Sequence, residues 1–171
     1  EDYAVNVLDT SAWEHRMHLP IYQFPPQFRV LSRPVTSLVM KHREAYRLFL
    51  ETDSEYALVS EDDTMFEEGF VEAFNHIMQT LPENADIVHM CAASNLYPMD
   101  IEQGKFFYPH LLTRGTGLYL ISKRAATIMA DGLDRFCGPI DFEINYFVLK
   151  HKLNSYWLHP LLAKQGSETI Y

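Results

Sequence analysis

Three consecutive carboxylates, Glu61, Asp62 and Asp63, close the apolar run Tyr56-Ala57-Leu58-Val59-Ser60. If that run is a buried strand, alternation puts Glu61 and Asp63 on one face and Asp62 on the other. Two carboxylates on one face repel each other unless a cation lies between them. Hard oxygen ligands of this kind suit Mg²⁺ or Mn²⁺, usually shared with a substrate phosphate. Open α/β sheets bind ligands at the carboxyl ends of their strands, and the apolar run places the triplet there. The competing reading is a solvated acidic turn.

Three further groupings have the residue types for chemistry. Arg114-Gly115-Thr116-Gly117-Leu118-Tyr119 precedes a strand and lacks both the Walker ending and the dinucleotide fingerprint. Its two glycines would let backbone approach a ligand closely, or simply form a tight turn. Gly138-Pro139-Ile140-Asp141 puts a carboxylate in the first turn of a helix. There it would interact favourably with the helix dipole, or act as general base toward an acceptor hydroxyl. His159, between Leu158 and Pro160, reads as a packed residue or as a nitrogen ligand to a cation held by Asp63. His42 reads as structural.

The elements that must position these residues follow from periodicity and breakers. Tyr3–Leu8 and Phe28–Ser32 read as strands on either side of a proline-rich loop, and 35–51 as a helix with Thr36 or Ser37 near its cap. Tyr56–Ser60 is a strand. Phe70, Val71, Phe74, Ile77, Met78 and Leu81 recur at helical spacing, and Pro82 stops that helix. Strands are expected over 85–90, 117–122 and Ser155–Leu158, with helices over 123–133 and 139–152, where Pro139 suits a first turn. The stretch 91–112 carries Tyr97, Phe106, Phe107 and Tyr108 and no clear helix; long irregular loops of this kind are usually functional. Strands alternating with helices predict an α/β sandwich around a mostly parallel sheet, as one domain over 1–171.

Composition bounds the partners. The chain has 171 residues, 47% of them hydrophobic, and a formal charge of −9, enough for a substantial core and unfavourable for nucleic acid or anionic membranes. No apolar run approaches the ~20 residues that span a bilayer. Cys91 and Cys137 are too few and too far apart for a disulfide framework or zinc site and read as buried thiols. A reducing, cytoplasmic location is expected, with a trimmed piece of a secretory or viral protein as the other source.

Taken in order, these pieces resemble glycosyltransferase family 25. Tyr3-Ala4-Val5-Asn6-Val7-Leu8-Asp9 is similar to that family's opening strand. His42 stands where the family tends to carry a Ser-His pair, with Lys41 in place of Ser. Leu58-Val59-Ser60-Glu61-Asp62-Asp63 is like its acidic motif, and the run from Gly115 to Ala126, Pro139-Ile140-Asp141 and the segment 160–165 complete the order. The chain departs from the pattern after the first strand, where only Arg16 stands for an Arg-rich stretch.

The resemblance implies a glycosyltransferase A-type, Rossmann-like fold, a nucleotide-diphosphate sugar donor (a UDP-sugar first), a glycan or glycoprotein acceptor, and Mn²⁺ or Mg²⁺. It implies Asp63, Glu61 and His159 as metal ligands and Asn6, Asp9, Glu61, Asp62, Thr116 and Gly117 as donor contacts. Asp141 becomes the base of an inverting transfer. The rivals are an inactive sugar-nucleotide binding module, a receiver-type phosphotransfer domain, and a haloacid-type phosphatase, whose first Asp would here be Glu61.

Overall fold

A computed structural model of the chain describes residues 31–92, 101–110, 113 and 115–166. The expected strand Tyr3–Leu8, with Asn6 and Asp9, lies outside these residues, as do Arg16, Tyr97, Arg114 and the first three residues of the expected strand Phe28–Ser32. The described elements are α1 (Arg33–Leu50), β1 (Tyr56–Ser60), β2 (Thr64–Phe66), α2 (Phe70–Gln79), β3 (Ile87–His89) and β4 (Cys91–Ala92). They continue with β5 (Phe107–Pro109), β6 (Leu118–Ser122), α3 (Lys123–Gly132), α4 (Ile140–His151), β7 (Ser155–Leu158) and β8 (Ala163–Gln165).

Local chemistry explains several boundaries. Helix α1 begins earlier than expected, because Pro34 in its first turn needs no N–H partner and Ser32, not Thr36 or Ser37, takes the cap position in extended conformation. Helix α3 starts where the Ser122 hydroxyl accepts from the Ala125 N–H at 3.2 Å. Strand β1 has the expected bounds and ends on the bond from Glu61 N–H to the Gly117 carbonyl, at 2.9 Å.

The architecture is α/β, with a five-stranded sheet in the order β1-β6-β3-β7-β5 and a small sheet in the order β2-β8-β4. The large sheet is not mostly parallel, contrary to the expectation from alternating helices and strands. Of its pairs, β3–β7 is parallel, while β1–β6, β3–β6 and β5–β7 are antiparallel. The reason is β6, which runs against both neighbours and wedges between β1 and β3. Helix–strand alternation constrains element type and leaves insertion between distant strands open.

Strand β6 is buried along its whole length and its side chains alternate between two cores. Tyr119 and Ile121 face a core built with Val39, Tyr46, Ala126, Met129, Ile140 and Ile144 of α1, α3 and α4. Leu118 and Leu120 face the other core, with Val88, Leu158 and Ile77 of α2. Arg43 binds α1 to α3 by donating to the Ala130 carbonyl at 3.1 Å and pairing with Asp134. Among the described residues no helix is long and apolar enough to cross a membrane. Both cysteines are buried thiols.

Candidate functional site at the end of strand β1

Because β6 runs antiparallel to β1, it begins where β1 ends. The acidic triplet therefore faces the Gly115-Thr116-Gly117 turn. Gly115 has φ +97°, a left-handed conformation open to glycine. A Cβ on Gly117 would sit 3.0 Å from the Cys91 sulfur, a tight contact that the thiol would have to relieve by a few tenths of an ångström. The Gly117 carbonyl accepts from the Thr64 hydroxyl at 2.5 Å, and Thr116 is buried.

Glu61 is the hub of the site. Its Oε1 accepts a short hydrogen bond from the Thr116 hydroxyl and lies 3.6 Å from His42 Nε2; its Oε2 accepts from Gln165 Nε2 at 3.3 Å. His42, 4% exposed, continues inward: its Nδ1 lies 2.7 Å from the Tyr119 hydroxyl, which lies 2.5 Å from the Tyr46 hydroxyl. His42 Nδ1 and the two tyrosine hydroxyls form a buried hydrogen-bonded row behind Glu61, in which either tyrosine can donate to the other. The His42 imidazole beside it, helped by Thr116, holds the Glu61 carboxyl below its ordinary value; burial and the Asp63 charge oppose this. Burial raises both tyrosine hydroxyls above their ordinary value, which keeps them as neutral donors.

The triplet does not continue the strand's alternation. Thr64 N–H donates to the Glu61 carbonyl at 3.3 Å, so Asp62 and Asp63 form a turn that leads into β2. Asp62 is exposed and lines a cleft beneath α1. The Asp63 carbonyl accepts from Gly166 N–H at 2.7 Å, which ties the turn to the end of β8.

Glu61 thus has both oxygens engaged by protein donors, which suits a positioning carboxylate better than a metal ligand. His159 is anchored elsewhere: its N–H donates to the Phe106 carbonyl at 2.9 Å and its ring stands edge-on to Tyr108, 6.4 Å between centroids. Among the described residues no three His, Cys, Asp or Glu side chains form a group that could hold a metal ion, so Glu61, Asp63 and His159 do not make one. A Mg²⁺ or Mn²⁺ shared with substrate phosphates needs only one or two carboxylates.

Asp141 lies in the first turn of α4, as expected, after Pro139. One turn later on the same face, Asn145 clamps the backbone before the glycine turn. Its Oδ1 accepts from Thr113 N–H at 2.6 Å and its Nδ2 donates to the Thr113 carbonyl at 2.9 Å. Fully buried Glu143 accepts from the N–H groups of Cys137 and Gly138 at 2.9 and 2.8 Å and holds the entrance of the helix. Sequence reading passed over Asn145, Glu143 and Gln165 and set His42 aside as structural. The legible signal was polar residues at alternate positions within the apolar run 140–148. Compared with protein-family models and with curated proteins, the chain matches none.

Proposed function

We propose that this protein is a glycosyltransferase of family 25 type, with a glycosyltransferase A-type fold, that moves a sugar from a nucleotide-diphosphate donor to a hydroxyl of a glycan or glycoprotein. The observation that carries this reading is the meeting of the acidic strand end with the Thr116-Gly117 turn, locked through Glu61, while α4, which carries Asp141, clamps Thr113 just before that turn. UDP-sugars are the first donors to test.

In this reading Glu61 holds the turn in place and Asp62 accepts hydroxyls of the donor. Asp63, with Asp62, would hold a Mn²⁺ or Mg²⁺, which supplies positive charge to the diphosphate. Asp141 takes the proton of the acceptor hydroxyl as its oxygen bonds to the anomeric carbon. The bond from that carbon to the phosphate oxygen breaks, its electron pair leaves with the nucleoside diphosphate, and the configuration inverts.

Asp141→Asn tests the assignment. A general base acts in the transition state, so donor binding should persist while turnover falls on the order of 10²–10⁴-fold. The screen is donor hydrolysis and transfer across UDP-, GDP- and dTDP-sugars with Mn²⁺. Wild-type turnover in the folded variant would return Asp141 to a helix-terminus role. Binding of a nucleotide sugar by wild type with no turnover on any acceptor would favour the inactive binding module.

A further inference from the structure

Helix α2 leaves much of its apolar face uncovered. It is described over its whole length, and of its ten residues only Ile77 is buried, whereas α4 buries seven of twelve. Phe70, Phe74 and Met78 are only partly buried against the core that Leu118 and Leu120 face, and Val71 is 63% exposed. The apolar surface continues onto β2. There Phe66 is 51% exposed, its ring 4.6 Å from that of Phe70, which lies 5.6 Å from that of Phe74. Single exposed apolar residues are ordinary, but a contiguous row with a polar rim marks a place of contact.

The charges around this surface have one sign. From residue 48 to residue 104 the chain has thirteen Asp and Glu and no Lys or Arg, although it carries 14 Lys and Arg in all. Glu67, Glu68 and Glu72 interleave with Phe66, Phe70 and Val71. Glu67 pairs with Lys164 of β8, while Glu68 and Glu72 are exposed. That pattern chooses among occupants. A second copy would bring the same carboxylates against themselves, and an anionic membrane would be repelled. A neutral glycan gains nothing from the charge. A polypeptide with Lys or Arg beside its apolar side chains meets both the rings and the rim. Strand addition is disfavoured, because β2, the outer strand of the small sheet, has three residues. The N–H groups of Thr64 and Glu67 at its ends are already bonded to the Glu61 and Leu162 carbonyls. Anchoring by side chains remains, and apolar residues one helical turn apart, about 5.4 Å along the axis, match the ring spacing.

We infer that the face formed by Phe66, Phe70, Val71 and Phe74 is a docking surface for a basic amphipathic helix of a partner protein. Apolar residues one turn apart on that helix rest on the rings, and its Lys or Arg side chains meet Glu68 and Glu72. The aromatic row supplies the desolvated contact, as aromatic anchors do in interfaces, and the carboxylates set orientation and the rate of encounter. This assignment does not rest on the transferase reading. The surface lies beyond the acidic turn, uses none of Glu61, Asp62, Asp63 or Asp141, and binds its partner whether or not sugar is transferred.

The test uses the whole chain and a labelled peptide of about five helical turns, made of Leu and Lys in amphipathic order and read by fluorescence anisotropy. Controls are the same residues in scrambled order and the same pattern with Glu for Lys. The ordered basic peptide should bind wild type with a Kd on the order of 10 μM, at least about tenfold more tightly than either control. Val71→Lys, and Glu68→Lys together with Glu72→Lys, should each weaken binding at least about tenfold, and the second should also flatten its salt dependence. Glu44→Lys with Asp131→Lys makes the same change in net charge on exposed positions of α1 and α3, which pack the other core, and should leave binding within about twofold. Equal affinity for ordered and scrambled peptides, equal losses in the rim and control pairs, or no binding at about 1 mM overturns the inference. Val71→Lys should also keep the urea midpoint of the free chain; a clear drop means that the chain itself covers the face, and the inference falls. Dimerisation in sedimentation that Val71→Lys abolishes would replace the partner helix with a second copy. Val71-dependent binding of anionic vesicles or oligosaccharides, with none of the peptide, would likewise overturn it.

Discussion

The fold is expected to lose stability steeply below neutral pH, and one residue should account for much of the loss. His89 is 2% exposed, in the central part of the large sheet, with its ring 6.1 Å from Tyr119 and 5.9 Å from Trp157 between centroids. Burial, with a smaller contribution from the His110 charge, lowers its pKa from 6.5 to about 3. In the unfolded chain the same imidazole binds its proton near pH 6.5. Between these values the unfolded state binds one proton more than the folded state, so stability rises with pH across this window. The contribution is fully present above pH 6.5 and is lost as pH falls toward 3. One proton corresponds to about 1.4 kcal/mol per pH unit, hence about 2 kcal/mol by pH 5 and about 5 kcal/mol across the whole window. Against a typical domain stability of about 5–15 kcal/mol, that single group can bring the protein close to its unfolding threshold. The assay is urea unfolding of wild type and His89→Gln at half-unit steps from pH 7.5 to 4.5. The substitution carries its own constant cost, so the quantity to compare is the slope. The wild-type slope should exceed the variant's by about 1.4 kcal/mol per unit below pH 6. Parallel curves, or an NMR titration of the His89 ring near pH 6.5 in the folded protein, would refute the reasoning.

Four further substitutions probe the packing of the fold. Tyr119→Phe should cost about 2–4 kcal/mol, because it leaves both the buried Tyr46 hydroxyl and His42 Nδ1 without their partner. Tyr46→Phe, which removes only the inner end of that row, should cost about 1 kcal/mol; equal costs by chemical denaturation would show that Tyr119 does not bridge His42 and Tyr46. Gly132→Ala should cost about 1–3 kcal/mol by overpacking, since a Cβ there runs into the Phe147 ring. Phe147→Leu in the same background should recover part of that loss, and purely additive costs would show that the two do not meet.

How much could be read in advance depended on how local each cause is. Strands β1 and β7 have the expected bounds because an apolar run and its breakers are neighbours in sequence. Helix α2 forms where apolar residues recur at helical spacing, but it ends at Gln79, short of the expected Leu81 and Pro82. Strands β2, β4 and β8 have two or three residues each, too short to show any period, and exist because they pair with one another. Among the site residues, Glu61, Thr116 and Gly117 were singled out one by one and meet in the fold, while His159 is anchored against β5 and joins no three-residue metal group with Glu61 and Asp63.

By itself the sequence determined which residues are acidic at the end of β1, that a glycine turn precedes β6, and that Asp141 opens a helix. Each of these is a statement about residues a few positions apart. The tertiary structure decided strand direction, the wedging of β6 between β1 and β3, and what Glu61 does. Its partners Thr116 and Gln165 are 55 and 104 residues away, and the Tyr119 that meets His42 is 77 residues from it. Acceptor capacity, unlike periodicity, is spent on whichever donor the folded chain brings within about 3 Å. A carboxylate that looks like a free metal ligand in the chain is therefore held by hydrogen bonds in the fold.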